Sequence, residues 1–399
     1  MTDGKLTVDS FYEAASRLKS IARKTDLIEA QNLGENIYLK TENLQVTGSF
    51  KIRGAYNKIS KLTEEEQKRG VVATSAGNHA QGVALSCKKL GIPATIFMPE
   101  QAPLSKVEAT RAFGAEVILK GDSYDDAYIA SKEYNNTYNK TFIHPFNDVD
   151  VIAGQGTIGL EILEDLPDAD YVFVPIGGGG LISGVSFIIK ALKPDTKIIG
   201  VEAANAASMK NSIEGGEIIN LSKVNTFADG IAVKTPGSIT YEIVRKYVDD
   251  IVTVTEDEIA SALLMLLEKQ KLVCEGSGAV AFAAIKYGNI DLKGKKAVAL
   301  LSGGNIDVNI LSKIIERGLI KTGRKAILNI ELRDKPGELS KATKIIADLG
   351  GNITEVKYNP AKKSNEMFSF LLNISCETRN SQHAEEIREK LKSCGFDLD

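Results

Sequence analysis

Residues 171–192 read YVFVPIGGGGLISGVSFIIKAL, and this stretch decides the fold. Tyr171–Ile176 is an apolar, β-branched run, which predicts a buried parallel strand. Leu181–Leu192 continues as a mostly apolar helix, and between the two stand Gly177, Gly178, Gly179 and Gly180. The same alternation of strands and helices runs from residue 37 to residue 320. It predicts an α/β fold of parallel sheets with ligands at the carboxyl ends of the strands.

The glycine turn is typical of a phosphate site. Without Cβ atoms the backbone approaches a phosphate closely, and the N–H groups at the helix start donate to its oxygens. A tight turn without a ligand is the alternative. No Gly-Lys-Ser/Thr ends the run, which argues against a nucleotide P-loop. A dinucleotide fingerprint fits poorly because Ile182 and Ser183 replace its third glycine, although Glu202 stands where a ribose-binding acid would fall.

A second stretch of the same strand-turn-helix type is TGSFKIRGA, residues 47–55. Asn36–Glu42 predicts a strand, Gly48 and Ser49 a turn, and Phe50–Ile59 a helix with Lys51 in its first turn. A positive charge is unfavourable there by about 0.3 to 1 kcal/mol, so a neutral amine or an imine suits the position better. Taken alone, the pattern is also that of a surface lysine, which is the commoner case.

A third turn follows the strand that begins at Val71 and precedes a helix that runs to about Leu90. Its N–H groups are suited to a carboxylate, and its asparagine to a cofactor oxygen. A lone histidine in a first helical turn is more often a packing or capping group than a general base. The turn consists of Ser75, Ala76, Gly77, Asn78 and His79. The three histidines of the chain form no ligand spacing with its cysteines, so no metal site is predicted.

Together with LSGGN at residues 301–305, these motifs resemble the threonine dehydratase family of fold-type II pyridoxal-phosphate enzymes. The resemblance covers about residues 6–318. It implies a two-lobed fold of the tryptophan synthase β type with the cofactor between the lobes. The large lobe is expected at 1–47 and 148–320, and the small lobe at 48–147.

The resemblance also implies roles for individual residues. Lys51 carries pyridoxal 5'-phosphate as a Schiff base and acts as the base at the substrate α-carbon, and Phe50 packs at the cofactor. Asn78 bonds the ring hydroxyl, and Ser302 meets the pyridine nitrogen. The phosphate is held by Gly177, Gly178, Gly179 and Gly180, and the substrate carboxylate by Ser75, Ala76, Gly77, Asn78 and His79.

Two of these positions help to choose the reaction. A serine at the pyridine nitrogen leaves that nitrogen neutral or only hydrogen-bonded, which weakens the electron sink and favours elimination over transamination. Related serine racemases carry a serine where this chain has Ala76, and alanine moves no proton. Their cation site is matched at Glu202 and Ala206 but departs at Ser208. Glu275 is left out of the catalytic set, since Gly276 and Ser277 follow where the family commonly has Pro-Ala.

We therefore expect a threonine ammonia-lyase that converts L-threonine to 2-oxobutanoate and ammonia, with L-serine to pyruvate as a secondary reaction. The alternatives are a serine racemase or a β-replacement enzyme on the same cofactor, and, in another class, a non-catalytic amino-acid sensor.

Composition limits the partners of the chain. Its 399 residues exceed one ordinary domain, and a net charge of −3 gives no electrostatic case for nucleic acid or anionic membrane. The apolar stretches are short and the N-terminus lacks the regions of a signal peptide, so a cytoplasmic protein is expected. The scattered cysteines are expected to be reduced.

A basic linker at 321–325 precedes a tail, residues 326–399, with a strand and helix order of βαββαβ. This order is the ferredoxin-like pattern, and with the DKPGEL turn the tail resembles an ACT regulatory domain. The resemblance implies an effector site in that turn, at Asp334, Pro336, Gly337 and Leu339, for isoleucine or a related amino acid. An oligomerisation module that binds nothing is the alternative. Exposed strand edges favour a homodimer or homotetramer.

Overall fold

The computed structural model describes residues 6–333, 335–360 and 369–398. Contacts divide the chain into two compact units, Met1–Ile306 and Asp307–Asp399. In the described residues no helix is both long and apolar enough to cross a membrane.

Strands and helices alternate through the first unit and part of the second. The strands are β1 Leu27–Glu29, β2 Ile37–Lys40, β3 Val71–Thr74, β4 Ala94–Met98, β5 Glu116–Leu119, β6 Thr141–Phe142, β7 Tyr171–Pro175, β8 Lys197–Ala203, β9 Asp250–Val254, β10 Ala297–Leu300, β11 Lys325–Arg333, β12 Asn352–Pro360, β13 Ser369–Glu377 and β14 Asp397–Leu398. The α-helices are α1 Val8–Leu18, α2 Lys51–Ile59, α3 Glu64–Arg69, α4 Asn78–Leu90, α5 Leu104–Ala112, α6 Tyr124–Tyr138, α7 Val149–Asp165, α8 Gly180–Leu192, α9 Ser208–Gly215, α10 Ser238–Tyr247, α11 Glu256–Met265, α12 Gly276–Tyr287, α13 Val308–Lys321, α14 Glu338–Asp348 and α15 Ser381–Ser393.

The first unit contains a six-stranded sheet in the order β1-β2-β10-β7-β8-β9. All neighbouring pairs are parallel except β1 with β2. The central strand β7 is covered on both faces, since Val172, Phe173 and Val174 are fully buried. Burial on both faces explains why its sequence is a continuous apolar run rather than an alternating one.

A second, four-stranded parallel sheet in the order β5-β4-β3-β6 forms from the middle of the chain. Helix α2 contacts two helices. One is α4, which follows β3 of this sheet, and the other is α7, which follows β6. Gly154 of α7 lies against α2 so closely that a Cβ there would be 2.5 Å from the carbonyl oxygen of Arg53. The α/β class with two parallel sheets is confirmed, and the exact lobe limits remain a prediction.

The second unit has an antiparallel sheet in the order β12-β13-β11-β14. Its strands and helices from β11 onward follow the expected βαββαβ order, with a core that includes Leu328, Ile330 and Leu372. Helix α13 also belongs to this unit, whereas the sequence placed residues up to 320 with the large lobe. The helix contacts β11, and Glu316 forms an ion pair with Lys325.

Candidate active site

The lysine segment and the segment of Ser302 lie side by side. The Phe50 N–H donates to the carbonyl oxygen of Ser302 at 3.1 Å, and Ser49 pairs with Gly303 as an isolated antiparallel bridge. These backbone contacts join residues separated by most of the first unit. They place the start of α2 against the carboxyl end of β10.

Lys51 is the first residue of α2 and is partly buried. Its Nζ donates to the carbonyl oxygen of Pro145 at 3.1 Å and lies 5.2 Å from the centre of the Phe50 ring. Burial lowers the pKa of Lys51 to about 8, although the opposite charge of Glu275 raises it. The amine is therefore neutral in a substantial fraction of molecules at mildly alkaline pH, as a nucleophile for a carbonyl requires.

The glycine turn ends β7 and begins α8, with Gly179 at φ +92°, where a side chain is strained. The N–H groups of Gly177, Gly178, Gly179 and Gly180 have no hydrogen-bond partner in the described part of the chain. On the other side of the turn, the Gly178 carbonyl accepts from Thr240 Oγ1 at 2.7 Å. Four free donors at a helix N-terminus form a site that binds an anion such as phosphate.

A single segment links the lysine to the glycine turn. Pro145 accepts from Lys51, and the next residue, Phe146, packs so closely on Gly178 that a Cβ there would lie 2.3 Å from its ring. His144 Nδ1 accepts from the N–H groups of Phe146 and Asn147 at 3.2 and 2.9 Å. Burial lowers the pKa of His144 to about 4, so the ring is neutral near neutral pH, and the two N–H groups that donate to Nδ1 place its proton on Nε2. Sequence patterns gave no signal for this segment.

The turn of Ser75 to His79 lies at the carboxyl end of β3 and begins α4. Among the described residues, the N–H groups of Ala76, Asn78 and His79 have no partner, while the Gly77 N–H donates to Ser75 Oγ at 3.1 Å. A Cβ on Gly77 would meet no atom within 4 Å, so the turn opens onto free space. These are suitable donors for a carboxylate.

His79 is 3% exposed, and its Nε2 lies 2.9 Å from the carbonyl oxygen of Ile143. Burial and the nearby charge of Lys51 lower the pKa of His79 to about 3. A ring this weakly basic does not take a proton near neutral pH, which agrees with a packing rather than a general-base role.

Asn78 is held by two side chains that are remote in sequence. Its Nδ2 donates to Glu275 Oε1, and its Oδ1 accepts from Asn305 Nδ2, both at 2.7 Å. Glu275 Oε1 also accepts from Ser277 Oγ at 2.6 Å, and the Ser277 carbonyl accepts from Ser302 Oγ at 3.2 Å. One chain of hydrogen bonds thus runs from Asn78 to Ser302, through a glutamate that sequence reasoning left out.

Glu275 is 5% exposed and occupies the N-cap position of α12, where its side chain makes no capping hydrogen bond. Burial, with the carboxylate of Asp229 nearby, raises the pKa of Glu275 to about 7. Its only sequence signal was an acid immediately before a helix, which many structural caps share.

Glu202 is bound by backbone N–H groups. Its carboxylate oxygens accept from the N–H groups of Met209 and Lys210 at 2.9 and 2.8 Å, at the start of α9. Burial raises the pKa of Glu202 to about 7. In the described ranges, no three His, Cys, Asp or Glu side chains come together as a metal would need.

These residues fit a cofactor with a phosphate at one end and an amine-reactive carbonyl at the other. Free N–H donors stand at the glycine turn, a lysine of lowered pKa stands beside it, and polar side chains stand at Asn78 and Ser302. The site thus defines an enzyme that performs chemistry on amines through a bound carbonyl compound.

Comparison with known proteins gives the family. Residues 18–303 match the family model of pyridoxal-phosphate dependent enzymes, and residues 326–392 match the ACT domain. The chain belongs to the pyridoxal-phosphate dependent enzyme family and carries an ACT domain after the family's fold. Its cofactor is pyridoxal phosphate.

Proteins similar to this chain include one relative of nearly the same length and two solved structures. The L-threonine ammonia-lyase of Thermotoga maritima is 51% identical over 397 residues, which cover 98% of this chain and 99% of the relative. The processed threonine deaminase isoform 2 of Solanum lycopersicum aligns with a TM-score of 0.74 at 41% identity, over 77% of this chain and 87% of that one. Maize serine racemase aligns with a TM-score of 0.73 at 36% identity, over 79% and 98%.

Proposed function

We propose that this chain is an L-threonine ammonia-lyase, which eliminates water from L-threonine and releases 2-oxobutanoate and ammonia. L-serine reacts in the same way, more slowly, and gives pyruvate. Nearly full-length similarity to the T. maritima ammonia-lyase supports this function. The single observation that carries it is that Lys51, with a pKa near 8, donates from Nζ to Pro145, in the same short segment whose Phe146 packs on Gly178 and Gly180 of the glycine turn.

Pyridoxal phosphate, when bound, supplies an aldehyde that captures amines and a ring that withdraws electrons from the substrate's α-carbon. Lys51 would hold the cofactor through its Nζ, and the same Nζ would take the proton from the substrate α-carbon. The turn from Ser75 to His79 binds the substrate carboxylate through its free N–H groups and so orients the α-carbon. Phe50 packs at the cofactor, Gly177–Gly180 bind its phosphate, and Asn78 and Ser302 bind its ring.

Ser302 directs the outcome of proton removal. Its hydroxyl carries no charge, so it does not hold a proton on the ring nitrogen as an aspartate would. An uncharged ring nitrogen would store electrons from the α-carbon less strongly, which would favour loss of the β-hydroxyl, protonated to water, over transamination.

A serine racemase is the second candidate, favoured by the alignment with the maize enzyme. Racemisation needs a second group that moves a proton on the opposite face of the substrate. Ala76 contributes only a methyl group at the turn, and it packs against the core of the smaller sheet. We therefore expect racemisation to be much slower than elimination in this chain.

The ACT domain is proposed to regulate the enzyme by binding isoleucine or a related amino acid. In the turn before α14, Pro336 and Gly337 are exposed, a Cβ on Gly337 would meet no atom within 4 Å, and Leu339 is 43% exposed. Asp334, also expected there, lies outside the described residues. We further propose a cytoplasmic homodimer or homotetramer. Calorimetry and kinetics with isoleucine and valine test the regulation, and unchanged kinetics without heat of binding contradict it.

The decisive experiment incubates the purified, cofactor-loaded protein with L-threonine alone and measures 2-oxobutanoate and ammonia. Release of both in equal amounts without a second substrate is expected, and Lys51→Ala abolishes it. A requirement for a second substrate indicates a replacement enzyme, conversion of L- to D-serine as fast as deamination indicates a racemase, and binding of amino acids without turnover indicates a sensor.

A further inference from the structure

The side-chain amide of Asn78 is held at both ends. Its oxygen accepts from Asn305 Nδ2, and its nitrogen donates to Glu275 Oε1, at 2.7 Å each. The two ends of an asparagine amide have nearly the same shape, so their partners decide which end is which. The polarity of these two partners therefore determines what Asn78 offers to a ligand.

The polarity of Asn305 is fixed by the backbone. Its Nδ2 also donates to the carbonyl oxygen of Thr47 at 2.8 Å, and a carbonyl oxygen accepts hydrogen bonds but never donates them. The group that Asn305 turns toward Asn78 is therefore an N–H. The Asn78 atom that faces it is an oxygen, whatever the charge of neighbouring acids.

The Glu275 carboxylate independently indicates the same orientation of the Asn78 amide. It accepts from Ser277 Oγ at 2.6 Å, and Gly303 packs on it so closely that a Cβ there would be 2.5 Å from Oε1. The carboxyl group is thus held in place with Oε1 as the acceptor of both bonds, and above its pKa of about 7 it is ionised and can only accept. If the Asn78 amide were reversed, its oxygen would face this carboxylate and its NH₂ would face the N–H of Asn305. Two attractive contacts would become two repulsive ones.

One N–H of Asn78 remains without a partner in the described part of the chain. We infer that Glu275 and Asn305 are positioning residues that make Asn78 a hydrogen-bond donor to the ring oxygen of the cofactor, so that this oxygen is bound without its proton. The inference rests on the proposed function, in which Asn78 binds that oxygen. The cofactor, when bound, would then carry that proton on the nitrogen that joins it to Lys51, and the carbon at this link would be more open to attack by a substrate amine.

Either partner alone is enough to set the polarity, and this redundancy makes the inference testable. The variants Glu275→Gln and Asn305→Ala each leave one fixed partner, because a glutamine adopts either orientation and an alanine makes no hydrogen bond. The double variant leaves none. We expect each single variant to keep the wild-type ratio of the two absorption bands of the bound cofactor within about twofold. In the double variant the ratio shifts by about tenfold toward the shorter-wavelength band, whose species keeps the proton on oxygen, as expected for one hydrogen bond to a charged acceptor.

The spectra are recorded on the full-length protein reconstituted with pyridoxal phosphate, with the bound cofactor quantified and the thermal transition measured for every variant. A second double variant combines Glu275→Gln with Asn305→Ser. The serine hydroxyl can either donate or accept a hydrogen bond, so it does not fix the orientation of the Asn78 amide. A wild-type ratio in either folded double variant overturns the inference. So does a Glu275→Gln shift equal to that of the double variant, which assigns the effect to charge alone. If the wild-type protein gains neither band, the proposed function fails instead.

Discussion

Lys51 Nζ donates to the carbonyl oxygen of Pro145 across 3.1 Å, and the residue after Pro145 packs on the glycine turn. The reactive amine and the anion site are thus positioned by one short segment. Because burial lowers the pKa of Lys51 to about 8, the amine loses its proton well below the pH at which a solvent-exposed lysine does.

The first prediction concerns the pH dependence of cofactor capture. The rate at which the cofactor-free protein acquires its visible absorption on mixing with pyridoxal phosphate should rise with pH and be half-maximal near pH 8. Only the neutral amine attacks the aldehyde, so the rate follows deprotonation of Lys51. In Glu275→Gln the nearby negative charge is gone, and the midpoint should move to lower pH. A midpoint above pH 10 in the wild-type protein contradicts the assignment.

A second prediction compares two glycines. In Gly178→Ala the new methyl group overlaps the Phe146 ring, and such overpacking costs about 1 to 3 kcal/mol, or roughly 5- to 150-fold in cofactor affinity. Gly77→Ala is the matched control, since its methyl group meets no atom within 4 Å. Its effect should fall on the KM for threonine, with cofactor affinity unchanged. Equilibrium dialysis of pyridoxal phosphate measures the cofactor affinity of both variants, and steady-state kinetics give the KM for threonine. Equal losses of cofactor affinity in the two variants contradict the prediction.

The third prediction concerns a buried group of charged side chains around Arg53. Arg53, in the same helix, donates to both oxygens of Glu42 at 2.9 and 2.8 Å and to Glu161 at 2.6 and 3.0 Å. Although burial opposes ionisation of Glu42, Arg53 keeps the pKa of that carboxyl below its usual value. Lys40 also pairs with Glu161 at 2.7 Å, so the four charges balance.

Arg53→Met leaves an uncompensated buried negative charge and should lower the free energy of unfolding by about 3 to 5 kcal/mol. The double variant Arg53→Met, Glu42→Gln restores the charge balance and should recover part of the loss. Arg245→Met breaks an exposed pair with Glu242 and should change stability by less than about 1 kcal/mol. Urea unfolding of the cofactor-free protein measures all three. Equal stability of the Arg53 and Arg245 variants is the contrary result.

The fourth prediction tests the reaction that follows proton removal. Ala76→Ser places a hydroxyl in the carboxylate-binding turn, and D-serine formation from L-serine should rise at least about tenfold, within the range typical of one acid or base group. Ala76→Gly is the control and adds no group that moves a proton. Chiral chromatography of the products gives the measurement. An Ala76→Ser protein that still deaminates serine but forms no additional D-serine shows that Ala76 is not the determinant.

Local sequence patterns predicted the positions of the strands and helices well. The helix expected at 50–59 is Lys51–Ile59, and the glycine turn joins β7 to α8 as expected. In the tail, the final strand lies at Asp397–Leu398, one residue after Phe396, where it was expected to begin and which packs in the core. These features depend on hydrophobic period and turn residues, which lie close together in the chain.

Such local patterns could not predict the contacts that orient the side chains of the site. Glu275 lies 197 positions from Asn78, and Asn305 lies 227 positions from it, so only the folded chain brings these side chains together. Helix α13 was assigned to the large lobe because it continues the alternation of elements. Which unit a terminal helix packs against depends on tertiary contacts that the alternation does not encode.

The most direct test of the central claim is borohydride reduction of the protein in the presence of pyridoxal phosphate, followed by peptide mass analysis. Reduction makes a lysine–cofactor link permanent. We predict one cofactor per chain on the peptide that contains Lys51, and loss of both the label and the visible absorption in Lys51→Ala. A label on another lysine, or a visible band that survives unchanged in Lys51→Ala, contradicts the assignment of Lys51 as the cofactor-binding base.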